Sequence, residues 1–385
     1  MRQVAIIGVG STTFGKLEGI GIVELAVAAC REALAESRVP REKIQAFYLG
    51  NFVGERLAGQ GSLAPLVASR LGLTGIPSTK VEGACASGGI ALRHGAMGIE
   101  AGLYDFVLVA GAEKMTASST ADVTAALATA GDELTEMRTG LTFPGAFGII
   151  AREHMARFGT TRDQLGLVSV KNHAFGASNP KAQFRKPVTL EAVVNSRLIA
   201  DPLRLFDCPP ISDGAAAVVL CRADLAREFS DRPVRVLGIG HASGPGTLWE
   251  MDRITSFPAT VRASREAYAM AGVSPADVDV AEVHDCFTMA EIVASEDLGF
   301  FPEGKGGPAV EDGRTGLDGT VTINPSGGLL AKGHPVGATG CAQVYEIVKQ
   351  LRGDAGNQVA GAEIGLAHNL GGTGVVSTVT LLGRM

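Results

Sequence analysis

The chain has 385 residues, of which 46% are apolar and 19% charged, enough to bury two core-forming units and too apolar for a disordered chain. Its net charge of −6 argues against nucleic acid as a partner. Six scattered cysteines without a CxxC pair exclude a zinc framework and a disulfide scaffold. With no signal segment and no window of 18 uncharged apolar residues, they point to the cytoplasm and to no membrane span.

From the N-terminus, "VAIIGVGSTTFG" (4–15) is a β-branched run breaking into glycine, followed by an amphipathic helix, "ELAVAACREALAES" (24–37). "IQAFYLGNF" (44–52) is a buried strand ending in a loop, and "CASGGIALRHGAMGI" (85–99) is a glycine-rich turn entering a helix. Between 116 and 205 the rhythm fails, which predicts an insertion of loops and helices over one face of the first half. Lys181, Arg185 and Lys186 lie in it, either as a solvated surface or as a seat for a phosphorylated substrate tail. "DGAAAVVLC" (213–221) closes the unit.

The series then recurs in the same order. A strand and glycine turn, "VRVLGIGHASGPG" (234–246), precede a helix, "TVRASREAYAMAGV" (260–273), and a buried strand, "VDVAEVHDCF" (278–287). "GHPVGATGCAQVYEIVKQL" (333–351) and "GTGVVSTVTLL" (372–382) complete it. Five matched elements predict a duplicated α/β protein with buried strands. Its first half takes 1–115 and 206–225, the insertion 116–205, and the second half 226–385.

Two tempting motifs fail. "GSTTFGK" (10–16) is followed by Leu17, which offers no hydroxyl to a magnesium ion, and "GVGSTT" lacks the third glycine of a dinucleotide turn. No GxSxG elbow occurs. Cys85 is the stronger candidate. A strand ending near Val81 and a helix starting in "SGGIAL" place the thiol at a positive helix end, where a thiolate is favoured. Ala84, Ala86, Gly88 and Gly89 would leave room for a carbonyl and for backbone N–H groups aimed at it; the competing reading is a small buried hydrophobe.

His334, at the mouth of another helix, would be held neutral and able to take a thiol proton, or else would merely cap a glycine loop. His284 and Cys286 stand two residues apart after an apolar strand and would project to one side if the strand continued. No third ligand for a metal is in view. "AHNLGGTGVV" (367–376) puts a histidine before a glycine turn and a last buried strand.

"GACASGG", "GAEKMT", "ISDGAAAVVL" and "GHPVGATG", in this order, resemble the thiolase superfamily over essentially the whole chain. The resemblance implies a thiolase fold, five-layered αβαβα from two duplicated halves with an inserted loop domain. It also implies dimers or tetramers, and coenzyme A as substrate and product rather than a permanently bound cofactor. "HDCF" in place of NEAF and "HNLGGTG" in place of CxGGGxG, with His368 where the second catalytic cysteine would stand, look like the sterol-carrier-protein-type and archaeal acetoacetyl-CoA branch.

In that branch Cys85 is the acylated nucleophile, His334 its base, Cys286 the second thiol and His284 an enolate partner. Asn324, Ser326, His368, Gly371 and Gly372 are then the oxyanion and substrate contacts, and no metal is required. Acyl-CoA and acetyl-CoA are the expected ligands, a homodimer or tetramer the expected assembly, and a small zinc-ribbon/OB-fold protein the expected partner. A decarboxylating, ketosynthase-like condensing enzyme and a non-catalytic acyl-CoA-binding subunit are the alternatives.

Overall fold

The computed structural model describes residues 2–385. Its first half contains β1 (Val4–Ser11), β2 (Ala46–Gly50), β3 (Ser78–Val81), β4 (Phe106–Glu113) and β5 (Gly214–Arg222). The second contains β6 (Val234–Ser243), β7 (Val280–Glu282), β8 (Thr322–Ile323), β9 (Ile364–Gly371) and β10 (Val376–Arg384). Their order across one sheet is β8-β7-β9-β10-β6-β1-β5-β4-β2-β3.

The duplication is visible in the pairing. β1–β5 and β5–β4 are antiparallel, while β4–β2 and β2–β3 are parallel. β6–β10, β10–β9, β9–β7 and β7–β8 repeat that sequence of directions. The halves join edge to edge where Val4, Ala5 and Ile6 pair with Val236, Arg235 and Val234. The run of alanine, valine and leucine in β4 and β5 is buried throughout, as strands covered on both faces require.

Three apolar clusters define five layers. Helices α1 (Ile22–Ser37) and α2 (Leu63–Leu71) cover one face of the first half-sheet. The central cluster joins both half-sheets to α3 (Ser87–Glu100) and to a helix at Thr339–Arg352. A third packs the helix at Pro258–Ala271 and its neighbours against the outer face of the second half-sheet.

The insertion supplies α4 (Thr120–Leu127), α5 (Phe143–Phe158) and α6 (Arg162–Ser178). Thr142 caps α5, and Thr161 with Gln164 forms a reciprocal capping box on α6. Sequence alone placed this segment over the first half. There α4 packs its Val123 and Ala126 with Val53 and Met115, but the apolar core of α5 and α6 (Phe147, Ile150, Leu165, Val168) packs with Phe287, Met289, Ile292 and Leu330 of the second. The remaining long helices are α7 (Pro258–Ala271), α8 (Thr288–Asp297) and α9 (Thr339–Arg352). Among the described residues no helix is long and apolar enough to cross a membrane.

Candidate active site

The two central helices, α3 and α9, meet at their N-termini, and this contact explains the glycines beside Cys85. A Cβ on Gly88 would lie 3.0 Å from Cys341 N and from Gly337 O, and one on Gly340 only 2.2 Å from Gly89 N. The small residues thus permit two helix ends to touch rather than leaving space for substrate. Cys85 sits in one turn of 3-10 helix (Ala84–Ala86) entered through Ala84 at φ 50°, a left-handed conformation that costs a non-glycine residue energy. Ser87 Oγ holds the turn by accepting from Gly83 N (3.0 Å) and donating to Ala84 O (2.6 Å).

His334 is placed by the loop entering α9. Its N–H donates to Ser212 Oγ (3.0 Å), and its Nδ1 lies 2.7 Å from Thr339 Oγ1. Glu113, at the end of β4, accepts from Phe52 N (3.0 Å) and Gly337 N (3.1 Å), tying "GAEKMT" to "GHPVGATG". β7 ends at Glu282, so His284 and Cys286 are not displayed by a pleat. They lie in a loop anchored by Asp285, which accepts from Leu329 N (2.7 Å) and Asn172 Nδ2 (2.7 Å).

Cys85, His284, Cys286 and His334 line one cavity of about 210 Å³. Ligand atoms of Cys85, His284 and His334 all lie within 4.8 Å of one another, and the two imidazole rings meet edge-on at 5.0 Å. Three potential metal donors thus converge, although the sequence showed no third ligand. Gly372 is also in the wall, and its backbone N–H, with that of Cys85, favours the thiolate of Cys85. The rest of the wall is mostly apolar: Val123, Leu127, Phe143 and Pro144 from the insertion, together with Ile211 and Val336.

Electrostatics reverse one expectation. Burial, then the Glu113 carboxyl, push the Cys85 thiol up to about 12 despite the two N–H groups. Burial also raises Cys286 well above the usual thiol range, with Cys85 and Asp285 adding to it. His334 is pushed down to about 3 by burial, and His284 well below the ordinary imidazole value by burial and then by His334. The resting site is therefore neutral thiols beside neutral imidazoles, because desolvation outweighs the helix ends.

Other expected residues stand behind the cavity. His368 uses both ring nitrogens, Nδ1 accepting from His284 N (3.4 Å) and Nε2 meeting Thr260 Oγ1 (3.0 Å), so it has none for a substrate. Asn324 Oδ1 accepts from Val283 N (2.8 Å), and Ser326 Oγ donates to Glu282 (2.6 Å); both brace the strand leading to His284. Gly371 is packed against Gly83 O and Val376. Lys181 is held by Ser11 O and Glu32 rather than open to a phosphate, while Arg185 and Lys186 are exposed away from the cavity wall.

Two residues passed unnoticed in the sequence. Cys208 adds a third thiol to the wall. Asn369 accepts from Gly89 N (3.1 Å) through Oδ1 and donates through Nδ2 to Cys85 O (2.9 Å), with His284 Nδ1 at 3.2 Å. Its only sequence signal was adjacency to His368 in "AHNLGGTG".

Comparison with known proteins agrees with this geometry. The family described as "Thiolase, N-terminal domain" matches residues 4–224, and "Thiolase C-terminal domain-like" matches 240–384. An acetyl-CoA acetyltransferase of Methanothermobacter thermautotrophicus is 51% identical over 385 residues, covering all of both chains. Sterol carrier protein 2 of Bos taurus is 37% identical over 99% of this chain and 73% of its own. A solved structure titled "Ltp2-ChsH2(DUF35) aldolase" superposes with a TM-score of 0.87 at 27% identity, covering 99% of this chain and 98% of that one. With both halves of the fold matched and the cysteine and histidine loops converging on one cavity, this chain belongs to the thiolase family.

Proposed function

We propose that the protein is an acetyl-CoA C-acetyltransferase, joining an acyl group to acetyl-CoA or cleaving a 3-ketoacyl-CoA with coenzyme A through an acyl-Cys85 intermediate. The observation that carries this reading is the meeting of Cys85, Cys286, His284 and His334 in one cavity. A second thiol in reach of the first serves a reaction that abstracts an α-proton. A decarboxylating condensing enzyme has no such proton to remove.

In the first half-reaction Cys85 Sγ bonds to the thioester carbon as His334 takes the thiol proton. The carbonyl oxygen becomes an oxyanion held by the Cys85 and Gly372 N–H groups. Collapse breaks the bond to coenzyme A, whose thiolate takes the Cys286 proton and leaves. The site now holds a Cys286 thiolate beside a His334 imidazolium, an opposite-charge pair suited to a desolvated pocket. In the second half-reaction that thiolate removes an α-proton from acetyl-CoA, with the enolate oxygen held by His284 and the protonated His334. The enolate carbon attacks acyl-Cys85, the released sulfur takes the His334 proton, and all four side chains return to their starting forms. The elevated pKa of Cys286 suits this cycle, since a thiolate formed only transiently is then a strong base.

The apolar wall from Val123, Leu127 and Phe143 suits an acyl chain. Assembly as a dimer or tetramer, work with a zinc-ribbon/OB-fold partner, and a cytoplasmic location are further parts of this reading. The similarity to a structure whose title names a DUF35 component supports the partner, and six free cysteines support a reducing compartment. The test is thiolysis of acetoacetyl-CoA by the purified chain. Acetyl-CoA production that is lost in Cys85→Ala and severely slowed in Cys286→Ser supports the assignment; unimpaired thiolysis in Cys286→Ser removes Cys286 from the proton transfer.

A further inference from the structure

Asn369 lies between the nucleophile turn and His284, and its amide orientation is fixed by main-chain groups that cannot exchange roles. Gly89 N–H can only donate, so the atom 3.1 Å from it is the oxygen. The Cys85 carbonyl can only accept, so the atom 2.9 Å from it is the nitrogen. The same NH2 group has a second hydrogen, and His284 Nδ1 stands 3.2 Å away. That ring nitrogen must accept, so a neutral His284 carries its proton on Nε2, the nitrogen left for the cavity.

His334 is set the other way. Thr339 Oγ1 lies 2.7 Å from His334 Nδ1 and 3.2 Å from Pro335 O. If the hydroxyl donates to the carbonyl and accepts from Nδ1–H, both contacts are hydrogen bonds. If it donates to Nδ1 instead, two oxygens face each other with no proton between them. The first arrangement leaves His334 Nε2 bare.

We propose that Asn369 is a positioning residue that locks His284 in the Nε2–H tautomer, opposite to that of His334, so that in the neutral resting site one ring donates to the substrate and the other accepts the thiol proton. The inference rests on the acyl-transfer reading for its use, but not for its physical content. A donating His284 can hold an anionic oxygen from the outset, whereas an accepting one would repel it. The lock has a second consequence. Atoms of Cys85, His284 and His334 lie within 4.8 Å of one another, a soft donor set suited to zinc, yet a protonated Nε2 has no lone pair to give. Asn369 thereby keeps the reacting thiol from being captured by a metal ion.

Asn369→Asp tests this directly. A carboxylate against Nδ1 draws the proton to that nitrogen and bares Nε2, which is also the arrangement that supports zinc ligation. In protein labelled with 15N-histidine, His284 should carry its proton on Nε2 in the wild type and on Nδ1 in Asn369→Asp, with His334 unchanged. The variant should lose about 100-fold in kcat, the scale of one missing oxyanion donor, and should gain one zinc ion per chain in competition with a chromophoric chelator. Asn369→Ala, which removes the constraint without adding charge, should show both His284 tautomers and guards against misfolding of the first variant. An Nδ1–H His284 in the wild type, or a tautomer indifferent to both substitutions, overturns the proposal. If the tautomers behave as stated but Cys85 never acylates, it is the acyl-transfer reading that fails.

Discussion

The entrances to α3 and α9 occupy equivalent places in the duplicated halves, each a single turn of 3-10 helix (Ala84–Ala86 and Val336–Ala338) before a 14-residue helix. One carries the thiol and the other, two residues before its turn, the imidazole. Burial acts on both in opposite senses, raising Cys85 to about 12 and lowering His334 to about 3. The duplication thus delivers an acid and a base to one point, each held in its neutral form. Neither is pre-charged; on the proposed mechanism the proton moves when a carbonyl arrives to accept the sulfur. The loops after β2 and β7 teach the same lesson. Asn51 is spent on Ala112 O (2.9 Å) and Glu113 (2.7 Å), whereas the corresponding loop of the second half presents His284 and Cys286 to the cavity. On the proposed mechanism one half supplies the nucleophile, and the other supplies every proton-handling side chain.

Substitutions that break this division should rank accordingly. Cys85→Ala should lower acyl transfer by about 10⁴-fold or more, as loss of a nucleophile does, measured as release of coenzyme A from acyl-CoA. Cys286→Ser should slow condensation by about 10²–10⁴-fold, the range of a lost general acid–base. Rapid-quench measurement should still find Cys85 acylated in that variant, though more slowly, because the departing coenzyme A also loses its proton donor. Val123→Phe, which narrows the apolar wall without touching the reacting groups, should reduce kcat/KM for longer acyl-CoA substrates about 10-fold more than for acetyl-CoA.

Gly340→Ala would force a methyl to within 2.2 Å of Gly89 N and of Asn369 Oδ1. It should cost about 1–3 kcal/mol in urea unfolding, as overpacking does. The smallest expected effect concerns pH. A histidine lowered to about 3 stays an unprotonated base as acid is added, so acylation should be level between pH 8 and pH 5. An inflection near 6.5 in single-turnover acylation would mean that His334 is solvated.

Much of this was legible in sequence because it was carried by patterns. The repeated strand–turn–helix order in 4–99 and 234–351 matched the repeated pairing of β1–β5 and β6–β10, and the cysteine and histidine loops stood out by their glycine context. What sequence missed lies in contacts between distant segments. Gly88 and Gly89 read as open space for a substrate, but the space is taken by Gly337, Gly340 and Cys341 of the other half. The helix end beside Cys85 suggested a thiolate, because no linear pattern records how thoroughly the site is desolvated. His368 drew attention as a histidine in a glycine loop, while its neighbour Asn369 makes the contacts that reach both Cys85 and His284. On a fully buried strand, alternation does not show which of two adjacent residues faces the chemistry.

The central claim is that the acyl group rides on one thiol of the three in the cavity wall. Incubation with acetyl-CoA, acid quench and peptide mapping by mass spectrometry tests it most directly. A single acetyl group is expected on the peptide containing Cys85, removed on adding coenzyme A. An acetyl group on Cys286 or Cys208 instead, or a chain that stays unmodified while turning over substrate, would contradict it.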